Sequence, residues 1–331
     1  MSYKLLPMDG KNALITGGVG FIGSNLAIKL LGLGANVTIL DAMLEGSGCN
    51  LRNIAEIKDK VKLIKKDIRD ADATDGAVKG ADYIFHLAAR SSHILSMKDP
   101  HTDMEINLKG TLNILESCRK FNRNAKIIFS GTRTEMGEPL YSPADEKHPD
   151  NPSDVYGVNK LAAEKYVLLY NRVHGLRGTV LRLTNTYGPR HQMKTGDWGV
   201  VNWFIRKILK GEEIEVYGDG SQIRDYNYVD DVCDALILAA QSGKSDGEMF
   251  VLGTGDGMRF IDMVKTLIET AGTGRYKLVE FPKDRKAIDI KSYVANIGKI
   301  NRTLGWTPKT DFKTGVRATI SFYRKELENY V

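Results

Sequence analysis

The chain has 331 residues, 42% of them hydrophobic and 27% charged, with a net charge of +6. This composition excludes a disordered or collagen-like chain, and the length predicts a sizeable core shared between two domains. The basic residues are dispersed among acidic ones, which argues against a nucleic-acid partner, and no apolar run is long enough to span a membrane. We therefore expect a soluble, cytoplasmic protein. Its three cysteines form no CxxC pair, and we predict no metal site.

Short runs rich in β-branched residues alternate with amphipathic segments in the first half of the chain. The runs predict buried strands at residues 12–16, 36–41, 61–66, 83–87, 126–130 and 179–183. Apolar residues at helical spacing predict helices at residues 21–31, 103–121 and 154–174. The alternation indicates an α/β fold, a Rossmann-type doubly wound parallel sheet with helices on both faces. Ligands of such sheets bind beyond the carboxyl ends of the strands.

The pattern becomes less regular after about residue 185. Helical spacing recurs at residues 200–210, 230–241, 260–271 and 312–328, with brief strands between these segments. These elements predict a smaller C-terminal α/β domain that caps the sheet. We therefore divide the chain into a Rossmann domain of residues 1–185 and a second domain of residues 186–331, with segments near 225–250 allowed to return to the first.

A glycine-rich turn follows the first predicted strand. Gly17, Gly20 and Gly23 have the GxxGxxG spacing, and Phe21 and Ile22 open the helix that follows. Glycine is needed where the backbone turns tightly, approaches a pyrophosphate and packs a helix on its strand. The helix N-terminus offers unpaired N–H groups to the phosphates. Together with its flanking strand and helix, the turn predicts a dinucleotide site rather than a plain loop.

An acidic residue, Asp41, closes the second predicted strand. Its carboxylate can accept both hydroxyls of an adenosine ribose, whereas a 2′-phosphate there would meet like charge. The next arginine along the chain is Arg52. NAD is therefore predicted in preference to NADP.

Further motifs follow in order along nearly the whole chain. They are Asp67-Ile68, His86-Leu87-Ala88-Ala89, Asn107 to Thr111, Tyr156 to Lys160, Asn185 to Arg190 and Arg224-Asp225-Tyr226. With the glycine turn, this set resembles the extended short-chain dehydrogenase/reductase family, specifically its NAD-dependent nucleotide-sugar epimerases and dehydratases.

The resemblance implies roles in cofactor binding for several of these residues. Asp67 and Ile68 are expected to hold the adenine ring. Asn107 is expected in the cofactor wall. The residues expected beside the pyrophosphate and nicotinamide are Leu87, Ala88 and Ala89.

Tyr156 and Lys160 lie four residues apart near the start of a predicted helix, so their side chains share one face. A phenol is a poor base at neutral pH, but a neighbouring ammonium and the nicotinamide's positive charge favour its anion. The pair can therefore remove a hydroxyl proton while hydride leaves the same carbon. The resemblance adds Thr132 as the hydroxyl that binds the reacting sugar oxygen.

The residues after Thr132 depart from the family pattern. The resemblance implies an Asp-Glu pair there in dehydratases, and an acid at the second position in decarboxylating members, but this chain has Arg133 and Thr134. Glu135 lies one place later, and a one-residue shift of register would restore an acid. We therefore predict a 4-epimerase that works through a 4-keto sugar, with a 4,6-dehydratase or decarboxylase as the alternative.

Two other classes of protein fit the sequence less well. A non-catalytic NAD-binding regulatory protein would typically lose Tyr156 or Lys160, and both are present. An ordinary carbonyl reductase would keep this pair but would lack the second domain and its phosphate contacts.

The resemblance assigns the second domain to a nucleotide-diphosphate sugar. The candidate substrate contacts are Arg90, Thr132, Arg133, Asn185, Val216, Tyr217, Arg224, Arg285, Lys286 and Tyr293. Cations and amides suit the two phosphates, and Arg133 could select an acidic sugar such as a uronate.

The helices predicted at 103–121 and 154–174 are richer in apolar residues than one sheet face needs. Because the family pairs these helices between subunits, we expect a homodimer.

Overall fold

A computed structural model describes residues 3–196, 199–282, 290 and 292–331. The strands are β1 (Asn12–Thr16), β2 (Asn36–Leu40), β3 (Val61–Ile64), β4 (Tyr83–His86), β5 (Lys126–Thr132), β6 (Arg177–Leu183), β7 (Asn185–Tyr187), β8 (Ile214–Tyr217), β9 (Ile223–Arg224), β10 (Tyr226–Tyr228), β11 (Met249–Leu252), β12 (Met258–Arg259) and β13 (Tyr276–Val279). Seven of them form a parallel sheet in the order β11-β6-β5-β4-β1-β2-β3. The predicted Rossmann-type fold is confirmed.

Helices connect the strands and cover both faces of the sheet. They are α1 (Phe21–Gly32), α2 (Ala71–Val78), α3 (His93–Lys98), α4 (Pro100–Met104), α5 (Gly110–Phe121), α6 (Val155–His174), α7 (Val200–Leu209), α8 (Val229–Gln241), α9 (Phe260–Ala271), α10 (Gly298–Leu304) and α11 (Phe312–Glu326). The helix predicted at residues 103–121 begins earlier, and a π turn at Glu105–Lys109 joins α4 to α5.

Two apolar layers sandwich the large sheet and bury its strands, except for the partly exposed edge strand β3. One layer packs α1 and α8 against the sheet, with Leu26 and Leu236 among its buried residues. The other packs α2, α5 and α6 against the opposite face, with Ile114 and Val167 at its centre. The carboxyl ends of the strands are not covered by these layers and face the second half of the chain.

The second half has its own core between α7, α9 and α11, which includes Ile205, Leu267 and Ile320. Its strands pair in short two-stranded sheets, β10 with β7, β12 with β9 and β13 with β8. The chain also returns to the large sheet: β11 pairs with β6, and Trp306 packs in the layer that contains α1 and α8, with its Nε1 donating to the Asp231 carbonyl at 3.0 Å. Within residues 298–306, which the predicted division places in the second domain, Ile300, Leu304 and Trp306 belong to the apolar core of the large sheet. No helix in the described part of the chain combines the length and apolarity needed to cross a membrane.

Candidate active site

A cavity of about 760 Å³ opens where the carboxyl ends of the central strands face the second half of the chain. This volume is in the range of ligand sites, roughly 300–1,000 Å³. The predicted site residues that line it are Gly17, Gly20, Phe21, Ile22, Gly23, Asp41, Asp67, Ile68, Leu87, Ala88, Ala89, Arg90, Thr132, Arg133, Tyr156, Lys160 and Asn185. The fold therefore gathers residues from six strand ends at one place.

The glycine turn leaves no room for side chains. Gly17 has φ +72°, and a Cβ there would lie 2.8 Å from the Ala88 Cα. A Cβ on Gly23 would lie 2.3 Å from the Gly17 carbonyl oxygen, so α1 packs directly on the turn. Gly20 stands at the N-cap without a side-chain cap, which leaves the first N–H groups of α1 for a ligand. This cradle fits a pyrophosphate.

Asp41 fixes the backbone around the neighbouring part of the cavity. Its carboxylate accepts hydrogen bonds from the Val19 N–H at 3.0 Å and the Met43 N–H at 2.9 Å. Burial raises the pKa of Asp41, and these two hydrogen bonds oppose that rise. A carboxylate has about four acceptor positions, so it can still accept ribose hydroxyls.

Asp67 and Ile68 lie at the far end of the cavity, after β3. Arg69 donates to Asp67 from Nη2 at 2.7 Å and Nε at 3.1 Å. Although burial raises the pKa of Asp67, the Arg69 guanidinium lowers it below the usual value. Ile68 offers an apolar side chain beside this ion pair, a combination that suits the face and edge of an adenine.

Asn107 lies behind the cavity rather than in its wall. Its Oδ1 accepts from the Arg90 N–H at 3.0 Å, and its Nδ2 donates to the Arg90 carbonyl at 3.0 Å and to Asp103. Asn107, expected in the cofactor wall, therefore does not line the cavity and instead braces the loop after β4. Arg90 lines the cavity, but its Nη1 donates to Asp99 Oδ2 at 3.1 Å.

The catalytic candidates converge from two elements. Thr132 ends β5, and Tyr156 and Lys160 lie one turn apart on α6. All three line the cavity, and the Lys160 ammonium lies 3.9 Å from the Phe129 ring centroid. The side chains of Tyr156 and Lys160 are almost wholly buried. The Phe129 ring thus makes a cation–π contact with the Lys160 ammonium.

Burial and neighbouring charges act on this pair in opposite directions. Burial, helped by the Glu135 charge, raises the pKa of Tyr156, whereas hydrogen bonding with Thr132 lowers it. Burial lowers the pKa of Lys160 to about 8, against the opposing effect of Glu135 and Asp103. Lys160 therefore remains mostly cationic at neutral pH, and Tyr156 is a phenol until a further positive charge lies beside it.

Glu135 turns away from the cavity. It is fully buried, and its Oε1 accepts from the Thr132 N–H at 2.9 Å. Its Oε2 lies 2.8 Å from Arg182, which also pairs with Glu164 at 2.7 Å. Glu135 therefore places no carboxylate in the cavity beside Thr132. Glu135 acts as a brace that fixes the backbone of Thr132.

Arg133 and Asn185 border the cavity on the side of Thr132. The Arg133 Nη2 donates to Asn185 Oδ1 at 3.4 Å, and the Asn185 amide donates to the Asp225 carbonyl at 3.2 Å. Arg133 also lies 5.7 Å from the Tyr293 ring centroid. The guanidinium is therefore directed inward, over the interior of the protein, rather than outward into solvent.

Four predicted substrate contacts do not line the cavity. Val216 is buried in the core of the second half, and Tyr217 packs on Phe281 with ring centroids 5.5 Å apart. Tyr293 is buried beneath Arg133, and Arg224 donates to the Ile223 carbonyl at 3.1 Å. The other two predicted contacts, Arg285 and Lys286, lie outside the described residues.

Some residues that line the cavity were not predicted from the sequence. The loop at residues 42–49 follows Asp41, and His93 stands at the start of α3. His93 could have been predicted, because polar residues that follow a parallel strand in the sequence often lie at the ligand site.

These features define a class of protein: a dinucleotide-dependent enzyme with a Tyr/Lys pair set beneath a ligand cavity. The model of the NAD dependent epimerase/dehydratase family matches residues 13–253, and the chain belongs to that family. The predicted resemblance is confirmed, as is NAD as the cofactor.

Several proteins are similar to this chain over nearly its whole length. A putative UDP-glucose 4-epimerase of Methanocaldococcus jannaschii is 35% identical over 316 residues, 94% of this chain and 98% of the relative. A dTDP-glucose 4,6-dehydratase of an Actinoplanes species is 30% identical over 320 residues, 94% and 97% of the two chains. The crystal structure of UDP-glucose 4-epimerase from Thermotoga maritima with UDP-glucose is 35% identical, covers 96% of this chain and 99% of its own, and superposes with a TM-score of 0.86.

Proposed function

We propose that the protein catalyses NAD-dependent 4-epimerisation of a nucleotide-diphosphate sugar through a transient 4-keto intermediate. The cofactor pyrophosphate binds at the glycine turn, its ribose at Asp41 and its adenine beside Asp67 and Ile68. When bound, NAD supplies a hydride acceptor that becomes the donor for the return step.

The chain's own residues handle the proton and the sugar. Tyr156 takes the proton of the 4-hydroxyl as the C4–H bond breaks, and Lys160 stabilises the phenolate. Thr132 hydrogen-bonds the same oxygen, which becomes the keto oxygen. Once the sugar has turned its other face, Tyr156 returns the proton as the C4–H bond re-forms. The product differs from the substrate only in configuration at C4, so no net oxidation occurs.

The observation that carries this proposal over elimination is the placement of acids. Among the described residues that line the cavity, the carboxylates are Asp41, Glu45 and Asp67, all in loops after β2 and β3 on the adenosine side. Elimination of water needs an acid beside the sugar. Arg133 and Thr134 occupy the two positions after Thr132, and Glu135 is directed into the protein. A redox step without elimination is what the remaining groups support.

Arg133 is proposed to favour sugars that carry a carboxylate. It lines the cavity beside Asn185, and a guanidinium pairs well with a carboxylate. Arg133→Ala is expected to lower kcat/KM about tenfold more for UDP-glucuronate than for UDP-glucose, measured by steady-state kinetics. Equal losses for both substrates would remove Arg133 from substrate selection.

The test of the reaction itself is a substrate panel. The NAD-loaded enzyme is incubated with UDP-, dTDP-, CDP- and GDP-sugars, and the sugars released by hydrolysis are separated. The expected product is the C4 epimer of one substrate, at an equilibrium reached from either side. A 4-keto-6-deoxy product, recognised by its alkali-induced absorbance, would identify a dehydratase, and a pentose from a uronate would identify a decarboxylase.

A further inference from the structure

His93 and Asp154 form a polar pair at the edge of the catalytic centre. The His93 Nδ1 lies 2.5 Å from Asp154 Oδ2. The other oxygen of Asp154 accepts the Gly157 N–H at 2.7 Å and caps the helix that carries Tyr156. One carboxylate therefore ties the imidazole to the first turn of α6, although the two residues lie 61 positions apart in the chain.

The pair leaves one ring nitrogen available. An ionised carboxylate only accepts hydrogen bonds, so Nδ1 of His93 carries the proton that faces Asp154. The His93 side chain is 34% exposed while that of Asp154 is 2% exposed, so the exposed edge of the ring is the one away from Asp154. The Nε2 atom on that edge has no hydrogen-bond partner among the described residues.

The ring also stands against the catalytic tyrosine. His93 meets Tyr156 edge to face, with ring centroids 5.4 Å apart and planes at 89°. Both side chains line the cavity. Any sugar whose hydroxyl reaches the Tyr156 phenol therefore passes the edge of the imidazole.

We propose that His93 is a substrate-binding residue whose Nε2 accepts a hydrogen bond from a sugar hydroxyl next to the carbon that reacts at Tyr156. Asp154 is the positioning residue that fixes the ring and its tautomer. This inference rests on the proposed function, because it takes the sugar to lie over Tyr156. A purely structural role would need only the Nδ1 contact, which tethers α3 to α6.

The two amide substitutions of His93 separate these roles. His93→Asn places an amide near Nδ1 and can keep the contact with Asp154, but it has no atom at Nε2. His93→Gln places an amide near Nε2. We expect His93→Asn to raise KM for the nucleotide sugar that the wild type converts at least about fivefold at unchanged NAD content, and His93→Gln to recover most of that loss.

Asp154→Asn tests the positioning residue. Asparagine is as good an N-cap as aspartate, so α6 keeps its start. Its amide can face Nδ1 as a donor, which moves the ring proton to Nε2 and removes the acceptor from the sugar. We expect a KM increase comparable to that of His93→Asn, with unchanged NAD content and unfolding midpoint.

His101→Gln is the matched control, because His101 is an exposed histidine on α4 outside the cavity lining. It should behave as wild type. Wild-type turnover of the sugar panel is measured first: if no nucleotide sugar is converted, the proposed function and this inference both fail. If wild type epimerises a sugar and His93→Asn keeps KM within twofold, His93 has no role in binding and this inference alone is overturned.

Discussion

His86, the last residue of β4, is hydrogen-bonded to Thr16 and Thr111 next to the cofactor cavity. The Leu87 and Ala88 N–H groups both donate to the Thr16 hydroxyl oxygen, at 3.2 and 3.1 Å. The Thr16 hydroxyl can then donate only to His86 Nδ1, 2.7 Å away. Thr111 donates to the Asn107 carbonyl, so it accepts from His86 Nε2–H at 3.0 Å. A neutral imidazole of one tautomer thus holds the loop that faces the glycine turn.

Because this imidazole must stay neutral, its burial makes stability depend on pH. Burial and the Lys160 charge lower the pKa of His86 to about 3, from an ordinary value near 6.5. Between these values the unfolded chain binds a proton that the folded protein does not, so stability is lost as pH falls through that window. Between pH 6.5 and 4.5 the loss is roughly 2 kcal/mol.

A glutamine at this position cannot bind a proton. Between pH 6.5 and 4.5 the free energy of unfolding of His86→Gln should therefore fall by roughly 2 kcal/mol less than that of wild type. Urea denaturation at both pH values measures the difference, with His101→Gln as the exposed-histidine control. A difference equal to that of wild type would show that His86 is not the titrating group.

Tyr156 supports a second prediction at the residue scale. Tyr156→Phe removes the hydroxyl and little contact area, so kcat should fall at least about 100-fold, while NAD content and nucleotide-sugar binding stay within a few-fold. Steady-state kinetics and acid release of the cofactor measure both. Tyr141→Phe is the control, since Tyr141 lies outside the cavity lining and donates to Asp145. Retention of more than about a tenth of wild-type kcat would exclude Tyr156 as the base.

At the scale of elements, the contact between α1 and the glycine turn shapes the cofactor site. Gly23→Ala would place a methyl group 2.3 Å from the Gly17 carbonyl oxygen, and α1 would have to move. We expect a stability loss of about 1–3 kcal/mol and a clear fall in bound NAD. Gly32 lies at the other end of the same helix, and a Cβ there meets nothing within 4 Å.

Gly32→Ala is therefore the matched control and should be neutral or stabilising by up to about 1 kcal/mol, with NAD content unchanged. Thermal unfolding and cofactor release distinguish the two variants. Equal NAD content in both would mean that the close packing of α1 does not define the site.

For the whole molecule, the exposed face of α6 supports the proposed homodimer. Val158, Leu169 and Val173 are 52%, 38% and 60% exposed, and helical spacing places them on one face with Tyr166. An apolar stripe of this kind on a solvent-facing helix is typical of an interface between subunits. Packing two copies of α5 and α6 against each other would cover it.

Light scattering should therefore give twice the 36.8 kDa chain mass at micromolar concentration. Leu169→Glu places a charge within the stripe and should give the monomer mass. The control is Leu278→Glu, because Leu278 is a 55% exposed leucine on β13, outside the stripe. This variant should leave the dimer intact. A monomeric wild type would contradict the proposal.

The features that could be predicted from the amino-acid sequence depend on residues that are close neighbours in the chain. The glycine turn, Asp41 at a strand end and the four-residue spacing of Tyr156 and Lys160 are local patterns whose geometry follows from strand and helix periodicity. They predicted the sheet, the cofactor and the catalytic pair.

Which side chains enter the cavity follows from contacts that form only in the folded protein. Glu135 pairs with Arg182, Tyr293 and Val216 are buried outside the cavity lining, and His93 lies against Asp154. These outcomes depend on contacts between residues far apart in sequence. The direction of a charged side chain is set by the partner that offsets its desolvation, and that partner is known only once the chain has folded.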